Sequence, residues 1–213
     1  MILVGQYDSP FTRRVAVALH ILGMPFTRNT LSVFADAEAA RKLNPLGRVP
    51  ALVLDDGEVL IESSAILDHL DEVAGPSRAL LPPSGRPRRE ALRTIAVATG
   101  GMEKAVAIVY ERVLRPADMQ HAPWLERCQI QLAGSLAALE AQADTNGLAA
   151  GRYPQVDIAV ACLVGFLHLR VPDAFPAGRY PRLERLSALA ESRPSFLAAR
   201  PSDDDTPPSA FKA

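Results

Sequence analysis

The stretch GPSRALLPPSGRPR, residues 75 to 88, divides the chain into two textures that one layer of secondary structure cannot accommodate. Ahead of it, short apolar runs alternate in type and are punctuated by Gly, Pro and Asp. Behind it, long Ala/Leu-rich stretches keep helical spacing and no strand pattern returns. A chain written this way has to build a sheet-and-helix layer first and a separate helical core second. Its 213 residues are enough for two small cores.

The first half reads element by element. MILVGQY is a buried strand, PFTRRVAVALHILG a helix stopped by Gly23, and PFTRNTLSV a second strand. DAEAARKLN gives a polar helix. In VPALVLDDGEVLIE, Asp56-Gly57 between two apolar runs marks a hairpin. SSAILDHLDEVAG closes the series as a helix with serines at its start and Gly75 at its stop. The order β-α-β-α-β-β-α is an α/β domain over residues 1–75, with a linker at 76–88. Residues 89–200 follow as an all-helical domain, with helical spacing over 88–115, 123–144 and 156–170 and breaks at Pro116, Pro123, Asn146-Gly147 and Pro154. Residues 201–213, with prolines and the acidic triplet Asp203–Asp205, read as a loose tail from which Phe211 could still pack.

Composition removes several classes of function. A formal net charge of −1 with 22% charged residues supplies no basic face for a nucleic acid and no polybasic anchor for a membrane. The N-terminus has no basic region ahead of a long apolar stretch, which leads to the expectation of a cytoplasmic protein. Cys128 and Cys162 are 34 residues apart at mainly apolar helical positions, outside any C-x-x-C, and read as inert buried thiols. His20, His69, His121 and His168 have no mutual spacing that suits a metal or a triad, so no metal is expected. Arg86, Arg88, Arg89 and Arg93 form a solvated face beside the linker.

Three junctions in the first domain can carry chemistry, because ligands in such folds gather where strands end and helices begin. At DSPFTRR, Ser9 followed by Pro10 is a helix cap; it is also a hydroxyl at a positive helix terminus, able to favour a thiolate. In RVPAL, a cis bond before Pro50 would turn the Val49 N–H and C=O toward an extended peptide, whereas a trans proline would merely open a strand. In IESSAI, Ser63 caps a helix whose N-terminus suits a carboxylate, and Glu62 suits an ammonium.

Taken together, SPFTRRV near residue 10, NPLGRVPAL near 50 and ESSAI near 63, ahead of an all-helical second half, resemble the cytosolic glutathione S-transferases. The resemblance covers nearly the whole chain. VDIAVAC resembles the family's helix-six segment with Asp157 as its aspartate, and YPRLERLSALAESRPSF resembles its closing helices. Pro154 departs from the Ser or Thr the family places three residues before that aspartate, which removes half of a capping box.

The resemblance implies a thioredoxin-like first domain that binds glutathione. Ser9 would address the sulfur as the catalytic residue, with Phe11 beside it. Val49, ahead of a cis Pro50, would pair with the cysteinyl backbone. Glu62 and Ser63 would hold the γ-glutamyl end, and Arg48 the glycyl carboxylate. Tyr7 is the competing contact for the sulfur, disfavoured because it lies inside the strand reading. Ser9-Pro10-Phe11-Thr12 stands where redox relatives carry C-x-x-C, so the thiol must arrive with the ligand. A small hydrophobic electrophile would lie along Phe11, Met102, Val106, Tyr110 and Val113, a stripe that equally suits core or interface. The family implies a homodimer. The implied activity is conjugation of glutathione to an electrophile, or its use to reduce or isomerise one; a non-catalytic binding protein on the same fold is the alternative.

Overall fold

The computed structural model describes residues 1–143, 154–202 and 205. They fall into two units: Met1–Pro83 with the described residues from Ser192 onward, and Ser84–Glu191.

The first unit is built on four three-residue strands, β1 (Ile2–Val4), β2 (Thr27–Asn29), β3 (Ala51–Val53) and β4 (Val59–Ile61), in the order β2-β1-β3-β4. β1 runs parallel to β2, with Leu3 opposite Arg28, and antiparallel to β3, with Leu3 opposite Leu52. β3 and β4 form the expected hairpin, closed through Leu54 and Gly57. Side chains alternate across the sheet. Val4 and Ala51 pack with Ala40 and Leu43 of α2 (Ala37–Leu43), while Leu3 and Leu52 face the other way, where α1 (Pro10–Leu22) and α3 (Ser63–Ala74) pack together. With both faces covered, β1, β3 and β4 are continuous apolar runs, whereas the edge strand β2 is polar.

Helix α1 ends as its sequence requires. Gly23 takes φ +64°, its N–H donates to His20 O, and the Met24 N–H reaches back to Leu19 O at 3.0 Å, the pattern of a glycine-terminated helix.

The structure departs from the sequence reading at three places. The second strand covers only Thr27–Asn29 of the expected 25–33. Ser32 Oγ accepts the N–H groups of Phe34 and Ala35, and the Asp36 carboxylate accepts the N–H of Ser32, so side-chain bonds replace the ladder there. The stretch read as linker is tied down. The Asp71 carboxylate accepts the N–H groups of Leu80 (2.7 Å) and Leu81 (3.0 Å), both leucines are buried, and α4 already begins at Gly85.

The third departure concerns the C-terminus. Helix α8 (Pro194–Ala198) belongs to the first unit, not the helical one: Arg13 Nε donates to Ala199 O at 3.0 Å, and its guanidinium lies 5.6 Å from the Phe196 ring centroid. Within the stretch read as a loose tail, Asp205 is only 1% exposed. Asn146-Gly147 and Phe211 lie outside the described residues.

The second unit consists of α4 (Gly85–Val113), α5 (Ala122–Gln142), α6 (Pro154–Arg170) and α7 (Pro181–Glu191), with single 3-10 turns at Ala117–Met119 and Pro172–Ala174. Helix α6 is apolar around its whole circumference and forms the centre, with Ile158 through Val164 buried in an unbroken run. Asp157 sits in its first turn. Close packing of α4 depends on Gly101, where a Cβ would come within 2.6 Å of Ser135 Oγ and 3.1 Å of Leu163 Cδ2. Ser135 Oγ in turn donates to Val97 O at 2.8 Å, which joins α5 to α4. The Glu140 carboxylate of α5 accepts the N–H groups of Arg182 and Leu183, serving the open N-terminus of α7.

Candidate functional site

Ser9 caps α1 from an extended backbone conformation, its Oγ accepting the Thr12 N–H at 3.4 Å. That is a long bond. Ser9 is partly exposed, and among the described residues nothing accepts the proton of its hydroxyl. The hydroxyl therefore has a donor to offer at the positive end of a thirteen-residue helix. Pro10 is buried and Phe11 partly exposed in the same turn.

Gly5 brings a second element against this turn. With φ +133°, it sits where a Cβ would meet Thr12 Oγ1 at 2.6 Å and Val49 Cβ at 2.9 Å. The exit of β1, the first turn of α1 and the loop before β3 thus converge on a residue with no side chain. The Val49-Pro50 bond is cis. Val49 is partly exposed, and no hydrogen bond among the described residues engages its backbone N–H or C=O. Asn44 organises the approach to it. Its Nδ2 donates to Arg48 O at 2.8 Å, its Oδ1 accepts the Leu46 N–H at 3.0 Å, and its own carbonyl accepts the Gly47 N–H. Arg48 itself is exposed.

The third junction lies at the start of α3. Glu62 has φ +70°, the one non-glycine residue with positive φ among the described residues, and its side chain accepts the Ser64 N–H at 3.3 Å. Backbone in that region is costly for a residue with a Cβ. Ser63 is fully buried: its Oγ donates to Glu62 Oε1 at 3.1 Å and accepts a long bond from Arg14 Nη1 at 3.5 Å. Arg14, also fully buried, links α1 to the first turn of α3. The exposed Glu62 carboxylate and the α3 N-terminus together offer an acceptor for an ammonium and donors for a carboxylate.

Tyr7 lies beyond β1, in the turn before α1, and not inside the strand. It is 4% exposed, with the Arg28 guanidinium 3.6 Å from its ring centroid. Burial raises its phenol above the ordinary range, while Arg28 pulls in the opposite direction. Its N–H donates to Asp205 Oδ1 at 2.6 Å, and Asp205 also forms an ion pair with Arg28.

These supports escaped the sequence reading. Asn44 is an Asx residue ahead of Pro45 and Gly47, a local turn signal that was legible. Arg14 and Asp205 act through partners 49 and 198 residues away, and nothing local announces them.

In the second unit, Met102 is fully buried core, whereas Tyr110 and Val113 are exposed. Tyr110, Leu114, Met119 and Trp124 line a cavity of about 550 Å³. Cys128 and Cys162 are both buried, and burial raises the Cys128 thiol above its usual range. Among the described residues, no group of three His, Cys, Asp or Glu side chains could hold a metal ion. No helix among them is long and apolar enough to cross a membrane.

A small mixed sheet covered by helices, leading into an all-helical unit, defines a thioredoxin-like domain joined to a helical one. Residues 3–78 match the family model of the glutathione S-transferase N-terminal domain, and residues 122–188 that of its C-terminal domain. The chain is 34% identical to the uncharacterized GST-like protein YibF of Escherichia coli, over 94% of its own length and 98% of that protein's. It is 32% identical to a maleylacetoacetate isomerase of Pseudomonas aeruginosa, over 97% and 99% of the two chains. A glutathione S-transferase of Methylobacterium radiotolerans, solved in complex with glutathione sulfonate, superposes with a TM-score of 0.87 at 33% identity, covering 94% of each chain. The chain belongs to the glutathione S-transferase family.

Proposed function

We propose that this protein binds glutathione in its first domain and activates the thiol as a thiolate for attack on a small hydrophobic electrophile. The observation that carries the reading is the convergence on Gly5 of the Ser9-capped helix start and the loop holding the cis Val49-Pro50 bond. In this assignment the Ser9 hydroxyl donates to the sulfur, Val49 pairs with the cysteinyl backbone, and Phe11 flanks the thiol. The Glu62 carboxylate receives the γ-glutamyl ammonium. The carboxylate beside that ammonium meets the α3 N-terminus at Ser63, and Arg48 meets the glycyl carboxylate. A bound thiol pKa lowered by about 2 units corresponds to about 2.7 kcal/mol of preferential thiolate binding. The reading extends to a cytoplasmic homodimer without a metal cofactor.

A second reaction on the same site is favoured by the maleylacetoacetate isomerase relative. The thiolate would add to a conjugated cis double bond, the resulting single bond would rotate, and elimination would restore the thiolate and the double bond in trans geometry. Calorimetric titration with reduced glutathione, followed by mass analysis of mixtures with aryl halides, enals and cis-enediones, tests both. A conjugate with glutathione consumed supports the transferase, and an isomerised product with glutathione unchanged supports the isomerase. Absence of binding refutes both and leaves the non-catalytic alternative.

A further inference from the structure

Asp205 stands in the stretch that its composition marks as a loose tail, yet it is among the most buried acidic side chains of the described protein and has four partners. Its Oδ1 accepts the Tyr7 N–H at 2.6 Å and pairs with Arg28. Its Oδ2 accepts the Ser202 N–H at 2.9 Å and the Ser202 hydroxyl at 3.1 Å. A carboxylate with 1% exposure has to be this fully bonded to remain charged.

What Asp205 grips is the turn that delivers Ser9. The Ser9 N–H donates to Gln6 O at 3.2 Å, so residues 6 to 9 form one tight turn, and Tyr7 is inside it. The Gly5 N–H anchors the front of the turn to Asn29 O at 2.8 Å. The back is anchored by the Arg13 N–H on Ser9 O at 2.9 Å and by the Thr12 N–H on Ser9 Oγ at the longer distance of 3.4 Å. Between these, the turn is held from outside by the short charge-assisted bond from Tyr7 to Asp205. Arg28 completes the arrangement by pairing with Asp205 while covering the Tyr7 ring.

We infer that Asp205 is a positioning residue for the thiol site, a C-terminal strap that sets the orientation of the Ser9 hydroxyl by holding the Tyr7 backbone. The inference rests on the glutathione reading above. Its charge and its hydrogen bond act in opposite directions on a bound thiol. Removing the negative charge and leaving Arg28 in place favours a thiolate. Releasing the turn and losing the aligned Ser9 donor disfavours it.

Asp205→Asn and Asp205→Ala separate the two, since the amide oxygen of Asn still accepts from Tyr7 and Ala cannot. The titration of glutathione bound to the full-length protein, followed by thiolate absorbance, is expected to shift up by about half a unit to one unit in Asp205→Ala. It is expected to stay or move down in Asp205→Asn. Amide hydrogen exchange over residues 5–9 is expected to quicken in Asp205→Ala alone. If Asp205→Ala does not fold, Ser202→Ala removes one donor to Oδ2 and is expected to give a smaller upward shift. A wild-type titration in Asp205→Ala, or in its substitute Ser202→Ala, overturns the strap whatever the thermal stability does. Equal upward shifts in the Asn and Ala variants also overturn it, because the bond to Tyr7 that Asn keeps and Ala loses would then make no difference to the thiol. If the unsubstituted protein binds no glutathione, the functional reading fails first, and the positioning role falls with it even where exchange over residues 5–9 still quickens.

Discussion

Arg14 Nη1 lies 3.5 Å from Ser63 Oγ, and both side chains are fully buried. The second turn of α1 is thereby tied to the first turn of α3. Ser63 passes the connection on to Glu62 through the 3.1 Å bond to Oε1. A buried guanidinium also contributes its long apolar stem to packing. Arg14→Ala is therefore expected to destabilise the protein by about 2–4 kcal/mol, the range for losing a buried, bonded side chain. Urea unfolding checks it; a midpoint matching the unsubstituted protein would show that the tie carries no energy.

Ser9→Ala separates capping from chemistry. Loss of an N-cap hydroxyl costs about 0.5–2 kcal/mol, and the bond here is long, so the lower end is expected and the fold should persist. Bound glutathione, by contrast, should lose thiolate absorbance at neutral pH because the hydroxyl donor is gone. An unchanged titration in a folded Ser9→Ala protein would remove Ser9 from its assigned role.

Glu62 combines positive φ with an acceptor for the Ser64 N–H, which makes its two functions separable by substitution. Glu62→Ala is expected to weaken glutathione affinity about ten- to a hundredfold, the loss of one charge-assisted bond. Glu62→Gly should weaken it equally yet be the more stable variant by about 1 kcal/mol, because glycine adopts positive φ without a Cβ. Equal stabilities of the two variants would mean that the backbone there is not strained.

The fold was legible where local chemistry and tertiary context agree. Asp56-Gly57 announced the hairpin, Gly23 the end of α1, and the helical spacing over 156–170 most of α6. The candidate site was legible as three separate junctions, each of which also had a purely structural reading. Their convergence depends on Gly5, whose importance comes from Thr12 and Val49 standing where a side chain would go. Asp71, Arg14 and Asp205 illustrate what remained hidden. Each binds backbone or side-chain groups at a distance that no periodicity encodes, and Asp205 does so from a segment whose prolines and acidic run argue for disorder.

The helical unit should have its own acid response. The Glu111 carboxyl is held below its ordinary range chiefly by the His121 N–H at 2.7 Å, with Arg115 adding to the effect and desolvation opposing it. Asp173 is lowered mainly by the paired bonds from Arg112, at 2.9 and 2.8 Å. For an acid whose folded value lies below the unfolded one, the stabilisation is present above the unfolded value, about 4 for such groups, and fades as pH falls through the folded value. Unfolding free energy should accordingly decline as pH drops from about 5 toward 3. Glu111→Gln and Asp173→Asn should each flatten that decline, because neither amide titrates. The Glu111 variant should also start from a lower stability at neutral pH, since its carboxylate is the acceptor that joins the end of α4 to the start of α5. Denaturant titrations across the pH series read both effects, and a decline of unchanged steepness in Glu111→Gln would place the acid-sensitive groups elsewhere.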